Sequence, residues 1–303
     1  METRRLHVLL ELSRLGSMRA VAEHLGTTTS SVSQQISKLA HEMGTPLVEP
    51  VGRRVRLTPA GRRLTEHAAT ILSAVEAAHV DFGPDAHPSG IVRVSGFATA
   101  IRRSLLPVVA QLADSHPDVT VVLYEHEPAE AIELLAADEV DLALTYDYNL
   151  APAMIDASLV TIPLWSTPWS LGVASQAARG VHGDAPRIFA AFRDHDWIGN
   201  SRNSADEDVL RIVASMAGFE PRMTHQCDSL DLVEDLIVAE MGVGLLPAVG
   251  AGYPHRSPER APREGVALIP LTEPDVLLRA SARTRRGRTG WPPLALLLSR
   301  LAP

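Results

Sequence analysis

One cysteine, Cys227, occurs among the 303 residues, so no disulfide can form within the chain. It sits beside Asp228, and with no second thiol to resolve an oxidised sulfur, a thiol redox switch is disfavoured. No apolar run approaches the ~18 residues of a membrane-spanning helix. The opening stretch METRRLHVLLELSRLG has neither the long apolar segment nor the small-residue cleavage site of a secretory signal. A cytoplasmic protein with no membrane partner is therefore expected. Catalytic signatures are missing too: there is no Gly-x-Ser-x-Gly elbow and no phosphate-binding glycine loop. The 12 histidines are scattered without metal-ligand spacing. No catalytic residue, metal or cofactor is expected, and the chain does not read as an enzyme. Lysine is nearly absent as well, with Lys38 alone among 28 basic residues.

What is present is unevenly distributed. The formal net charge is −8, but residues 1–63 hold ten basic and five acidic side chains, a net of +5. Residues 64–303 hold eighteen and thirty-one, a net of −13. A basic head on an acidic body points to a nucleic-acid partner for the head alone. At 46% hydrophobic residues the chain can bury more than one core.

The head carries a specific pattern. Leu6, Leu9 and Leu10 mark a first helix over residues 3–15, ended by Gly16, and Ser17 can cap the next. Ala20, Val21 and Leu25 form a short second helix that stops at Gly26. After Thr27, Thr28 and Thr29, Val32, Ile36, Leu39 and Met43 recur at spacings of four, three and four, placing them on one face of a third helix. The other face carries Ser30, Gln34, Ser37, Lys38 and His41. Two helices around a tight turn, the second with a small polar face, form a helix-turn-helix. A major groove about 12 Å wide admits such a face. Ser31 and Ser33 suit phosphate or base contacts, and Gln34 can bridge the two major-groove atoms of an adenine. A solvated face on an ordinary packed helix is the alternative. Arg53, Arg54 and Arg56 then surround Val55, which reads as a basic wing gripping the phosphate backbone.

At these residues the chain resembles the LysR-type transcriptional regulators. The resemblance rests on Gly16-Ser17, Ala20 to Leu25, Val32-Ser33-Gln34-Gln35-Ile36, Gly44-Thr45-Pro46-Leu47 and Arg53 to Gly61, in order over about sixty residues. Three positions depart from the family pattern. Val48 and Pro50 stand where phenylalanine and arginine are usual, and Ala40 replaces a glutamate. Pro50 removes one expected phosphate contact.

Thr58-Pro59 starts a long helix to about Phe82. Its Leu64, Ala68, Ile71 and Val75 fall on a heptad seam. Packing onto the chain's own domain is one reading of the seam. The resemblance implies the other, a linker helix that pairs with its twin to give a dimer or tetramer. Residues 83–89 form a hinge rich in turn residues. Beyond it, strands and helices alternate, as in a parallel sheet. Asp228-Ser229-Leu230 and the string Gly242-Val243-Gly244-Leu245-Leu246-Pro247 again resemble the family.

The resemblance implies a fold class of α/β with a largely helical winged helix-turn-helix at the N-terminus. The head covers residues 1–60, the linker helix 58–82 and the effector domain 90–303. That domain is expected as two α/β subdomains like those of type 2 periplasmic binding proteins, residues 90–162 with 269–303 and residues 163–268. The chain is expected to cross between them near Ile162-Pro163-Leu164 and Ile269-Pro270-Leu271. Double-stranded DNA and a small-molecule effector are the implied partners.

Ligands of open α/β sheets bind beyond the carboxyl ends of the strands. This places Gly96 to Arg102, Glu127-Pro128, Thr145-Tyr146, Gly199 to Asn203 and Asp228-Ser229 around a cleft. Thr99, with Ala100 beside it, matches the family's effector-contacting hydroxyl position. Arg202 is the first candidate to hold an anion, because a guanidinium grips a carboxylate bidentately. Arg102 is the second. A solvent-facing loop arginine is the alternative for Arg202. The expected effector is a small anion.

Overall fold

The computed structural model describes residues 2–51, 54–82, 87–202, 204–248 and 262–301. Arg53 and part of the expected hinge lie outside the described residues, and of Arg54 only the backbone is described.

Helices α1 (Thr3–Leu15), α2 (Met18–His24) and α3 (Thr29–Met43) form the head. The Ser17 hydroxyl accepts the Ala20 N–H at 3.4 Å, and the Thr28 hydroxyl accepts the Ser31 N–H at 3.2 Å, so each of the last two helices starts on a side-chain cap. Gly44 ends α3 at φ 66, a left-handed conformation that suits glycine. Strands β1 (Val48–Val51) and β2 (Arg54–Leu57) pair antiparallel as the wing. Leu6, Leu9, Val21, Val32, Ile36, Leu39 and Leu47 make the head's core.

The long helix α4 (Pro59–Phe82) completes that core. Ala68 is fully buried in it, and Leu64 and Ile71 pack against it. Three of the four seam positions serve the chain's own hydrophobic packing, because α4 lies along α1. Val75 is half-buried. Gly61 is required where α4 passes the turn before the wing, since a Cβ there would lie 2.1 Å from the Leu47 carbonyl oxygen.

The rest forms two lobes. In the first, β3 (Gly90–Gly96), β4 (Val119–Glu125) and β5 (Leu142–Tyr148) run parallel in the order β4-β3-β5. One turn of helix, α5 (Ala98–Ala100), passes through a wider turn at Ile101–Leu105 into α6 (Leu106–Ser115), and α7 (Pro128–Ala136) follows β4. The sheet continues through β11 (Leu277–Arg285) to the first half of β6 (Leu159–Ala174). In the second lobe, β10 (Val266–Pro270) and β9 (Val243–Pro247) flank the other half of β6, followed by β7 (Asp196–Gly199) and β8 (Arg222–Gln226). Helices α8 (Ala185–Ala191), α9 (Ala205–Met216) and α10 (Leu230–Val238) belong to this lobe. Helix α11 (Pro292–Leu301) packs against β3 and α6, burying Leu294, Leu297, Leu298 and Leu301.

Strand β6 changes partner between Pro168, paired with Leu277, and Trp169, paired with Pro247. The first crossing thus lies beyond Ile162–Leu164, whose Ile162 and Pro163 still pair with β11. Ile269 and Pro270 belong to β10, and the return crossing follows them before β11 begins. Head and first lobe also touch. Arg14 of α1 lies 3.8 Å from the Asp138 carboxylate, which Arg285 also contacts.

Candidate functional site

On α3 the buried stripe of Val32, Ile36 and Leu39 leaves Ser30, Ser33, Gln34, Ser37 and Lys38 exposed, with Ser31 half-buried. These side chains share the outer face because their positions fall between the buried ones at the helical period. Two of the expected contacts are already engaged. The Ser30 hydroxyl lies 2.9 Å from that of Thr28. Arg56 donates twice to Glu49, at 2.9 and 2.7 Å, across the wing.

The second site lies where strand ends of both lobes meet. From the first lobe come Glu127, which starts α7, and Tyr146 and Tyr148 at the end of β5. From the second come Asn200, Ser201 and Arg202 after β7, Asp206 in the first turn of α9 and Asp228 after β8. Bonds cross the gap. The Tyr148 hydroxyl donates to Asp206 Oδ1 at 2.7 Å, and Asn200 Nδ2 donates to the Tyr146 hydroxyl at 3.4 Å. The Tyr146 hydroxyl in turn donates to Glu127 Oε2 at 3.0 Å.

Arg202 reaches three carboxylates: Asp228 at 3.1 Å, Glu130 at 3.5 Å and Glu127 at 3.9 Å. Ser201 and Arg202 also donate backbone and side-chain bonds to Asp228, which hold its carboxyl below the ordinary range in spite of partial burial. Burial has the opposite outcome at two neighbours. It pushes the Glu127 carboxyl up to about 7, with Asp228 and Asp206 adding to the rise and the Tyr146 hydroxyl and Arg202 opposing it. It pushes Asp206 up to about 6 against the bonds from Tyr148 and Asn200. The Cys227 thiol also rises, by burial first and then by Asp228 and Asp206, the reverse of what a reactive thiol needs.

An aromatic row lies beside these acids. Ring centroids run from Trp165 to Phe97 at 6.3 Å, to Tyr146 at 4.8 Å, to Tyr148 at 6.3 Å and to Trp169 at 5.7 Å. The Trp165 indole N–H donates to the Ser104 hydroxyl at 3.0 Å, and Arg103 stands 4.2 Å over the Trp165 ring.

Several expectations change. Ala100 is fully buried in the core and offers no surface to a ligand. Thr145 is buried, with its hydroxyl 3.2 Å from that of Ser281 on the neighbouring strand. Arg102 is exposed, whereas Arg103 covers the aromatic row. Ser229 caps α10, accepting the Leu232 N–H at 3.4 Å. Thr99 is half-buried on α5. Arg202 is no free anion receptor, since its charge is shared by three carboxylates. Tyr148, Asp206 and Trp165 were not singled out from the sequence. The alternation along β5, which puts Tyr146 and Tyr148 on one face, is the signal that could have found Tyr148.

Residues 3–62 match the family described as bacterial regulatory helix-turn-helix protein, lysR family. Residues 85–302 match the LysR substrate binding domain. The chain belongs to the LysR family. It is thus a DNA-binding transcriptional regulator with a substrate-binding domain. Among relatives, the transcriptional dual regulator GltC of Bacillus subtilis is 28% identical over 257 residues, covering 82% of this chain and 81% of its own. The DNA-binding transcriptional dual regulator OxyR of Escherichia coli is 24% identical over 293 residues, covering 91% and 86%. Among solved structures, a full-length OxyR variant from Pseudomonas aeruginosa superposes with a TM-score of 0.68 at 16% identity, covering 99% of this chain and 94% of that one. This likeness extends to the fold. No helix among the described residues is long and apolar enough to cross a membrane.

Proposed function

We propose that the exposed face of α3 reads promoter DNA and that the interlobe cleft holds the effector. Ser33 and Gln34 reach base edges, Ser31, Ser37 and Lys38 bind phosphate, and the wing arginines Arg53, Arg54 and Arg56 hold the backbone. The observation that carries this reading is the division of α3, with Val32, Ile36 and Leu39 at or below 1% exposure and a continuous small polar face opposite. The effector domain spans residues 90–303, and opening or closing of its lobes changes how the heads are presented to DNA. The protein acts in the cytoplasm as a homo-oligomer and catalyses no reaction. With Leu64, Ala68 and Ile71 occupied within the chain, self-association uses the exposed side of α4, which carries His67, Ala74 and Ala78. Footprinting on the DNA upstream of the protein's own gene tests this. Protection that is symmetric and lost on Gln34→Ala is expected. Failure to bind any duplex in preference to random DNA refutes it.

A further inference from the structure

We infer that the effector carries a cationic nitrogen, an ammonium or guanidinium group, which displaces Arg202 from Glu127 and Asp228. This rests on the cleft being the effector site and names the class of ligand it takes. Four carboxylates, Glu127, Glu130, Asp206 and Asp228, gather from both lobes. Arg202 is ion-paired to three of them. Four negative groups against this one guanidinium leave a formal excess of three negative charges when all are ionised. An anion entering here would meet that excess with Arg202 already committed. A cation would relieve it, and a carboxylate in a water-poor cleft gives a strong charge-assisted bond to an N–H donor.

The aromatic row walls these acids with buried apolar surface, which strengthens a charge-assisted bond made beside it. Phe97, Tyr146, Tyr148 and Trp169 are buried edge-to-face against one another, and the face of Trp165 attracts a cation. Arg103 already lies on Trp165 at one end of the row, while toward the other end Tyr148 bonds Asp206. Beside Tyr148, Trp169 is only 6% exposed, and its indole N–H has no acceptor among the described residues. A ligand that pairs a cationic nitrogen with an oxygen acceptor would satisfy both ends of that corner. Arg202 then acts as the chain's internal stand-in, holding the acids until the ligand binds. Its side chain is 39% exposed and can swing away at small cost.

The test is a melting and calorimetry screen of the full-length protein at pH 8, where Glu127 and Asp206 are both ionised. Agmatine, putrescine, tyramine and lysine methyl ester are compared with succinate, glutarate and benzoate, and with ribose and butanediol. An amine should give the largest rise in melting temperature. Glu127→Gln should weaken that amine about tenfold or more, the value of one charge-assisted bond. Asp206→Asn should do likewise if Glu127→Gln does not fold. An acid or neutral compound giving the largest rise overturns the inference, as does full affinity in both variants. If that acid or neutral compound loses its effect in Asn200→Ala, the cleft remains the effector site and only the class is wrong. If no compound of any class binds, both readings fall.

Discussion

Replacing Glu127 by glutamine should make the protein more stable at pH 8 and leave it unchanged at pH 4. Burial raises this carboxyl from the ordinary 4.5 to about 7 in the folded chain. A group that holds its proton more tightly when folded contributes stability at low pH and loses it as pH rises, here between about 4.5 and 7. The gap corresponds to about 3 kcal/mol at 1.36 kcal/mol for each pH unit. Glutamine keeps the shape, can still accept from the Tyr146 hydroxyl, and never ionises. The attraction to Arg202 that glutamine loses is already counted, since it opposes the rise of the carboxyl to about 7. The gain at pH 8 is then about 3 kcal/mol, or about 1.5 M in urea midpoint for a slope near 2 kcal/mol per molar. All four tryptophans, Trp165, Trp169, Trp197 and Trp291, lie in the effector domain, so tryptophan fluorescence follows that domain alone. Equal midpoints at pH 8, or a variant less stable there than wild type, would mean that Glu127 is well solvated or firmly held by Arg202, and the reasoning from burial would fail.

On α3, Gln34→Ala should cost about 1–3 kcal/mol of preference for the cognate site, measured by competition against random duplex. Lys38→Ala should instead weaken all duplexes alike and lower the slope of log affinity against log salt by about one. Asp141→Asn should destabilise the effector domain by about 3–5 kcal/mol in urea unfolding, because Asp141 is 1% exposed, accepts the Arg93 N–H at 2.9 Å and pairs with the buried Arg288. Gly96→Ala should cost about 1–3 kcal/mol in the same assay, since its new Cβ would lie 2.5 Å from the Leu144 Cβ.

The head was legible because each of its signals is local. The cap at Ser17, the stop at Gly16, and the stripe of Val32, Ile36 and Leu39 all act within a few residues. The heptad of α4 was legible as a buried stripe but not as to what buries it. Leu64, Ala68 and Ile71 have the same spacing whether the partner is a twin helix or α1 of the same chain, and here α1 takes them. The first lobe crossing was placed early because β6 is one strand of 16 residues whose partners change midway. Nothing in the run Leu164-Trp165-Ser166-Thr167-Pro168 marks where one sheet gives way to the next. The cleft was legible as a set of strand ends. Its charge was not, because Glu127, Arg202, Asp206 and Asp228 come from four separate segments and only the fold sets who faces whom.

The bonds across the cleft set a limit on how an effector can act. Moving a two-state equilibrium from 1:99 to 99:1 takes about 5.5 kcal/mol of differential binding. Displacing Arg202 from Glu127 cannot supply this alone, since a pair with one partner 39% exposed is worth about 1 kcal/mol or less. The Tyr148–Asp206 bond is the stronger lever. Tyr148 is fully buried and its bond is 2.7 Å long, so an effector that takes over Asp206 exchanges a bond of about 1.5–3 kcal/mol for one of its own. An effector that engages Glu127 and Asp206 together therefore controls two of the links between the lobes, and Asn200–Tyr146 and Arg202–Glu130 remain. One that reaches only the exposed Arg202 would bind without switching. Affinity and regulation should accordingly separate in Tyr148→Phe, which keeps every acid of the cleft but removes the shortest hydroxyl bond between the lobes. The amine should still bind this variant, while the difference in DNA affinity between the liganded and free states shrinks.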